Sequence, residues 1–276
     1  MIVKKIYHQG DEVNKILDSY GNIVFQKTAE MTNDIMFHTK SSVDGVNYFT
    51  VYYTDGTQKD MKYSEPNNEY VFPIPTDKTV RLINFGTSYI DEVTVSCKIK
   101  LSSDLLNSKP STIRLLSCDA TESIDLTQSF KYMDSPQKLV EIRNLDARNA
   151  TRMSNLFGES YNIQQIIMMD LNVSKVTDMS YMFNKCSGAT TIDIANWNTS
   201  SVTNLSNAFY YCQKVKALDL SSWNTINVTD MNNMFNNCSS LASLDLSGWD
   251  MTNVNNMNHM FSYCSSITSL DLSGWI

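Results

Sequence analysis

Five residue types return in one register, 26 residues apart, through the C-terminal part of this chain. Val176, Val202, Val228 and Val254 open the unit, and Phe183, Phe209, Phe235 and Phe261 follow. Cys186, Cys212, Cys238 and Cys264 come next, then Asp193, Asp219, Asp245 and Asp271, and last Trp197, Trp223, Trp249 and Trp275. A strict period in the twenties marks stacked supersecondary units, each too small to close a core without its neighbours. The chain is therefore expected to build a solenoid.

Inside one unit the hydrophobic period changes halfway. Val228, Met231, Met234, Phe235 and Cys238 lie three to four residues apart, which predicts one face of a short helix. Thr225, Asn227 and Thr229 just upstream are residue types that cap a helix start. After Cys238 the spacing falls to two. Leu244 and Leu246 alternate with Ser243, Asp245 and Ser247, which predicts a strand with one buried face, stacked in parallel from unit to unit.

The run Met234, Phe235, Cys238, Ser239, Leu241, Leu244, Asp245, Leu246 and Trp249, with its equivalents in three other copies, resembles the BspA-like leucine-rich repeats of bacterial surface proteins, in their variant rich in Asn, Met and Cys. The resemblance implies a repeat fold used in adhesion or other recognition, and it names no ligand.

Upstream, the repeat decays. A shift of 26 places Phe157 under Phe183, Met153 under Met179, and Ile166 and Met168 under Ile192 and Ile194. A further shift puts Val140 and Ile142 in the strand slots, and a last trace remains at Ile113 to Leu116. Residues 101–276 thus read as about six units, the last four regular and the first ones capping the stack against the preceding domain. At the other end no polar capping unit follows Trp275, so a trimmed chain, a covering partner and a merely adequate cap are open alternatives.

Residues 28–100 are rich in Tyr, Phe, Val and Thr runs between turn signals such as Asp44-Gly45 and Asp55-Gly56. An immunoglobulin-like sandwich is favoured there over a partly open barrel. Residues 1–27 read as a small meander. The fold class expected is α+β: an all-β immunoglobulin-like domain followed by an α/β leucine-rich-repeat-like solenoid with parallel strands.

The phrase KKIYHQGDEVNKILDSYGNIVFQ resembles leader segments of bacteriophage virion proteins, especially tail and fibre components, which implies contact with other virion proteins through the N-terminus. No signal-peptide core opens the sequence and no run of eighteen apolar residues occurs, so neither export by a signal nor a membrane span is expected. A net charge of −7 offers no basic stripe for nucleic acid. Two readings follow: a phage virion component binding a host-surface glycan or protein, and a bacterial cell-surface adhesin fragment. A homo-oligomer fits the first.

The site candidates are few. The three histidines are scattered, and no Walker, G-x-S-x-G or H-E-x-x-H pattern occurs, so neither an enzyme nor a cofactor is expected. The Cys column reads as a reduced packing ladder, with oxidation of neighbours as the alternative, and no Cys/His cluster suggests a metal. The Trp column reads as core, with sugar stacking as the alternative. The column Asp193, Asp219, Asp245 and Asp271 reads as turn hydrogen bonding, with a cation along it as the alternative. Ligand contacts are sought where copies differ: Tyr181 and His259 share one slot with Asn207 and Asn233, Tyr211 and Tyr263 share another with Lys185 and Asn237, and Tyr210 shares a third with Asn184, Asn236 and Ser262, with drift on a solvated face as the alternative.

Overall fold

The computed structural model describes residues 5–9, 12–17, 23–26, 33–39, 47–63, 69–84, 90–101, 105, 111–131, 139–194, 196–268, 270, 272 and 275. Strands β1 (Lys5–Gln9), β2 (Glu12–Leu17) and β3 (Ile23–Gln26) form an antiparallel meander. The turns expected at Gln9-Gly10-Asp11 and Asp18 to Gly21 lie largely outside the described residues.

Two sheets follow. β4 (Asp34–Thr39) pairs antiparallel with both β7 (Glu69–Pro73) and β9 (Ile90–Ser96). β5 (Asn47–Tyr53) pairs antiparallel with β6 (Gln58–Tyr63) and β8 (Val80–Asn84). Alternation puts Ile35, Val93 and Val95 of the first sheet and Phe49, Val51 and Ile83 of the second into the core. Phe72 meets Phe49 edge-on, ring centroids 4.7 Å apart.

The first sheet does not close on itself. Its strand β9 also pairs in parallel with β10 (Thr112–Leu116), and the ladder runs on through β11 (Leu139–Arg143), β12 (Gln165–Met169) and β13 (Thr191–Asp193). The resulting seven-stranded sheet has the order β13-β12-β11-β10-β9-β4-β7. Register aligns Val93, Ile113, Val140, Ile166 and Ile192 in one buried column. One hydrophobic core therefore extends from Ile35 to Met260, across the junction near residue 100. Past β13 the ladder thins to the bridge Ala217↔Ser243. In matching slots β12 carries Ile166, Ile167 and Met168, whereas the later coils carry Leu218, Asp219 and Leu220 and then Leu244, Asp245 and Leu246, so β-branched residues give way to Leu and Asp.

No helix occurs among the described residues, so the α+β class is corrected: the chain is all-β, and the α/β leucine-rich-repeat solenoid expected from the spacing is replaced by a stack of 26-residue coils made of short strands, bridges and turns. In the segment expected to be helical, alternate amides point along the stack. Leu205, Asn207, Phe209 and Tyr211 donate N–H to the carbonyls of Asp230, Asn232, Met234 and Asn236 in the next coil, at 2.8–2.9 Å. The intervening amides close tight turns instead: Ala208 donates to Leu205, Tyr210 to Asn207 and Cys212 to Phe209. An α-helix would direct every N–H to the fourth residue back and leave none for a neighbour. Apolar side chains still recur three and four apart because each turn brings them back to the same side. The expected caps serve the stack too. Thr225 Oγ1 donates to the Asp250 carbonyl and Thr229 Oγ1 to the Thr203 carbonyl.

Packing repeats with the backbone. Phe130, Phe157, Phe183, Phe209, Phe235 and Phe261 stack with centroids 5.0–5.7 Å apart and planes within 20°. A second ladder of parallel bridges links Asp125, Arg152, Asp178, Asn204, Asp230 and Asn256. The coils therefore hold any outward-facing residue at a repeating position beside its equivalent.

Candidate functional site

Two of the three slots that vary between copies share an unusual backbone. Tyr181, Asn207, Asn233 and His259 have φ of 54–57°, and Lys185, Tyr211, Asn237 and Tyr263 have φ of 59–62°. This is the left-handed region, which L-residues other than Asn rarely occupy. Two such residues four apart turn the chain twice and direct alternate amides toward the next coil. Asn at this position relieves the strain, as in Asn155, Asn207, Asn233 and Asn237. Tyr, Lys and His do not, and they stand there with a backbone fixed by both neighbouring coils.

Their side chains line one side of the stack. Tyr181 is 44% and Tyr263 75% exposed, and His259 is exposed with Nδ1 3.3 Å from Ser262 Oγ. Tyr210 and Tyr211 are half-buried and pack against each other, centroids 4.6 Å apart and planes at 50°. The Asn coil between them and Tyr263 is internally bonded: Asn236 Nδ2 donates to Asn233 Oδ1 at 2.7 Å, and Asn237 Nδ2 to Asn236 Oδ1 at 2.8 Å. Aromatic rings alternating with carboxamides on a fixed backbone suit contact with a polar, ring-bearing or peptide surface.

The Asp column is engaged in turns. Asp219 accepts from the Ser221 amide and hydroxyl at 3.1 and 2.6 Å, and Asp245 from those of Ser247 at 3.0 and 2.7 Å. The Ser221 hydroxyl and amide hold the Asp219 carboxyl below its ordinary range. Asp193 also has a partner, and Asp271 lies outside the described residues. Among the described residues no group of three or more His, Cys, Asp or Glu side chains is placed to hold a metal ion.

Each cysteine Sγ of the column donates to a carbonyl one coil back: Cys186 to Phe157, Cys212 to Phe183, Cys238 to Phe209 and Cys264 to Phe235, at 3.0–3.3 Å. All six cysteines are free thiols. Burial pushes the thiols of Cys186, Cys212 and Cys238 far above the usual range, which makes them inert as nucleophiles. Trp197, Trp223 and Trp249 are buried, and Trp275 is partly so. Trp197 Nε1 donates to the Met168 carbonyl at 2.8 Å, and Trp249 and Trp275 reach the carbonyls of Leu220 and Leu246 at 3.5 and 3.4 Å.

The left-handed backbone is what sequence reasoning missed at this face, although Asn recurring four apart was its signal. A third such row, Asn144, Asp170 and Asn196, ends the strand segments and was missed as well. No helix in the described residues is long and apolar enough to cross a membrane. Against known families, the chain matches the model described as "Mycoplasma protein of unknown function, DUF285" twice, over residues 124–217 and 185–276, together more than half of its length. No curated protein and no solved structure matches it.

Proposed function

The chain belongs to the DUF285 family, and on that premise we propose that it is a non-enzymatic recognition protein that presents its left-handed face to a host-surface glycan or protein. The observation that carries this reading is the coincidence of two patterns. Two of the three slots singled out because their residues differ between coils are held at φ near +60°, with Tyr, His and Lys in place of the unstrained Asn, and the third, Asn184, Tyr210, Asn236 and Ser262, lies directly beside one of them. Strained positions persist where neighbouring structure fixes them, and they concentrate at binding surfaces. Rigid aromatic side chains lose little entropy on contact.

As a setting for this activity we propose a phage virion, with attachment through residues 1–27, whose likeness to virion leader segments supports it. The BspA-like character of the repeat and the bacterial source in the family's description favour the second setting, a bacterial cell-surface adhesin.

The test is a screen of the purified chain against an array of bacterial-surface glycans, beside a variant with Tyr181→Ala, Tyr211→Ala and Tyr263→Ala. Binding that falls at least tenfold in the variant, with an unchanged unfolding midpoint, supports the reading. Equal binding by both proteins would remove the face from the function. Peptides of this chain in purified phage particles, or on intact bacterial cells, separate the two settings.

A further inference from the structure

We infer that Tyr181, Asn184 and Lys185 form a subsite for the carboxylate and a hydroxyl of one acidic sugar, of the hexuronic acid class. The inference rests on the recognition reading above and narrows its ligand to a glycan that carries carboxylated sugars.

The same three slots are filled in two ways along the stack. In the coil of Asn233, Asn236 and Asn237 the carboxamides satisfy one another, Asn237 Nδ2 donating to Asn236 Oδ1 and Asn236 Nδ2 to Asn233 Oδ1. In the coil of Tyr181, Asn184 and Lys185 both flanking carboxamides are replaced. Asn184 is 7% exposed, and its Oδ1 is buried without a hydrogen-bond partner. An unpaired buried acceptor is costly, and a ligand hydroxyl that donates to it recovers the loss.

Lys185 supplies the charge. It is half-buried and makes no ion pair among the described residues. Its equivalent one coil back, Glu159, donates its N–H to the Asn184 carbonyl at 2.7 Å, but the Glu159 carboxylate lies 3.7 Å from Lys131 Nζ. From Tyr181 to Tyr263 the three variable slots hold no Asp or Glu, in a chain of net charge −7. A partly desolvated ammonium without a counter-charge favours an anionic group. In reaching the carboxylate the flexible Lys185 stem swings outward, and the sugar hydroxyl enters beside it to the carboxamide. Tyr181, 44% exposed, offers a ring face to the apolar side of the sugar. A glutamate-rich peptide would bring the carboxylate without the hydroxyl and leave Asn184 unpaired.

The test titrates the whole chain, followed by NMR, with oligogalacturonate and with the same oligosaccharide after reduction of its carboxyls to primary alcohols. The wild type is expected to bind the acid at least tenfold more tightly. That preference should fade from about 0.01 M to about 1 M salt, as the Debye length falls from about 30 Å to about 3 Å. Lys185→Asn gives this slot the residue type of its equivalent Asn237, suits the left-handed backbone, and should abolish the preference without lowering the unfolding midpoint. Asn184→Ala should weaken both oligosaccharides alike. Equal affinity of the wild type for the two, a preference that survives Lys185→Asn, or unchanged binding by Asn184→Ala would overturn the subsite. Equally tight binding of polyglutamate would overturn it too, since an acidic peptide would then be the occupant. Glycans bound without preference for acid, and lost in the triple Tyr variant, overturn the subsite alone; a wild type that binds no glycan overturns it together with the glycan reading on which it rests.

Discussion

Lys185→Gly is expected to stabilise this protein, which is the reverse of what glycine does in a helix. Lys185 has φ of 59° and is half-buried, and its N–H donates to the Tyr210 carbonyl in the next coil. An L-residue in the left-handed region costs roughly 1–2 kcal/mol. Glycine removes that strain and adds back roughly 0.5–1 kcal/mol of backbone entropy lost on folding. The difference leaves a gain on the order of 0.5–1 kcal/mol, or about 2–4 °C per kcal/mol in Tm for a domain of this size. A helical Lys185 would give the opposite sign, a loss of close to 1 kcal/mol. Lys185→Val is expected to be the worst of the set, because a β-branched side chain tolerates this backbone least. Lys214→Gly, at an exposed turn position without positive φ, serves as control and is expected to lose stability. Urea unfolding followed by Trp fluorescence gives the midpoints. A wild type more stable than Lys185→Gly, together with a Lys185→Ala variant more stable than wild type, would refute the reasoning.

Other outcomes follow from the same geometry. Phe209→Ala removes a ring stacked 5.3 Å from Phe183 and 5.5 Å from Phe235, and about 3–5 kcal/mol of stability should go with it, read from the urea midpoint. In thiol labelling with an aromatic disulfide reagent, Cys186, Cys212 and Cys238 should react only on unfolding and Cys264, partly exposed at the end coil, well before them. The added Cβ of Gly188→Ala would press on the carbonyls of Tyr161 and Ile163, so that variant should lose about 1–3 kcal/mol, while Gly248→Ala faces open space and should be neutral or slightly stabilising by thermal melting. Asp146 is held below its ordinary range by Arg148, and Asp219 by Ser221. A carboxyl lowered on folding stabilises above its unfolded pKa of about 3.9 and loses that contribution as pH falls through the folded value. The urea midpoint should therefore hold from pH 7 to about 5 and decline below about 4, less steeply in Asp219→Asn.

The period was legible because five residue types shared one register, and the structure places the equivalents of Phe183 in one stacked column. The strand traces around Val140 and Ile166 were legible as well, since alternation with β-branched residues has few other meanings. The helix was misread for a physical reason. Met231, Met234, Phe235 and Cys238 return to one side every three to four residues in a run of tight turns as they do in a helix, so apolar spacing alone does not separate the two. The discriminating mark was Asn at 207, 233 and 237, a poor helix former and the best non-glycine occupant of left-handed backbone. The strand pairing across the junction near residue 100 was not legible, because a parallel pairing such as Val93↔Ile113 leaves no local sequence mark. At the candidate face, variability between copies picked out three slots, two of which share left-handed backbone.

The central claim is that alternate amides of each turn segment bond to the next coil rather than back along their own. Scalar couplings transmitted through hydrogen bonds report this directly by NMR. The stack requires a correlation from the Phe209 amide nitrogen to the Met234 carbonyl carbon, and from Tyr211 to Asn236. A correlation from Phe209 to Leu205, four residues back, would contradict it.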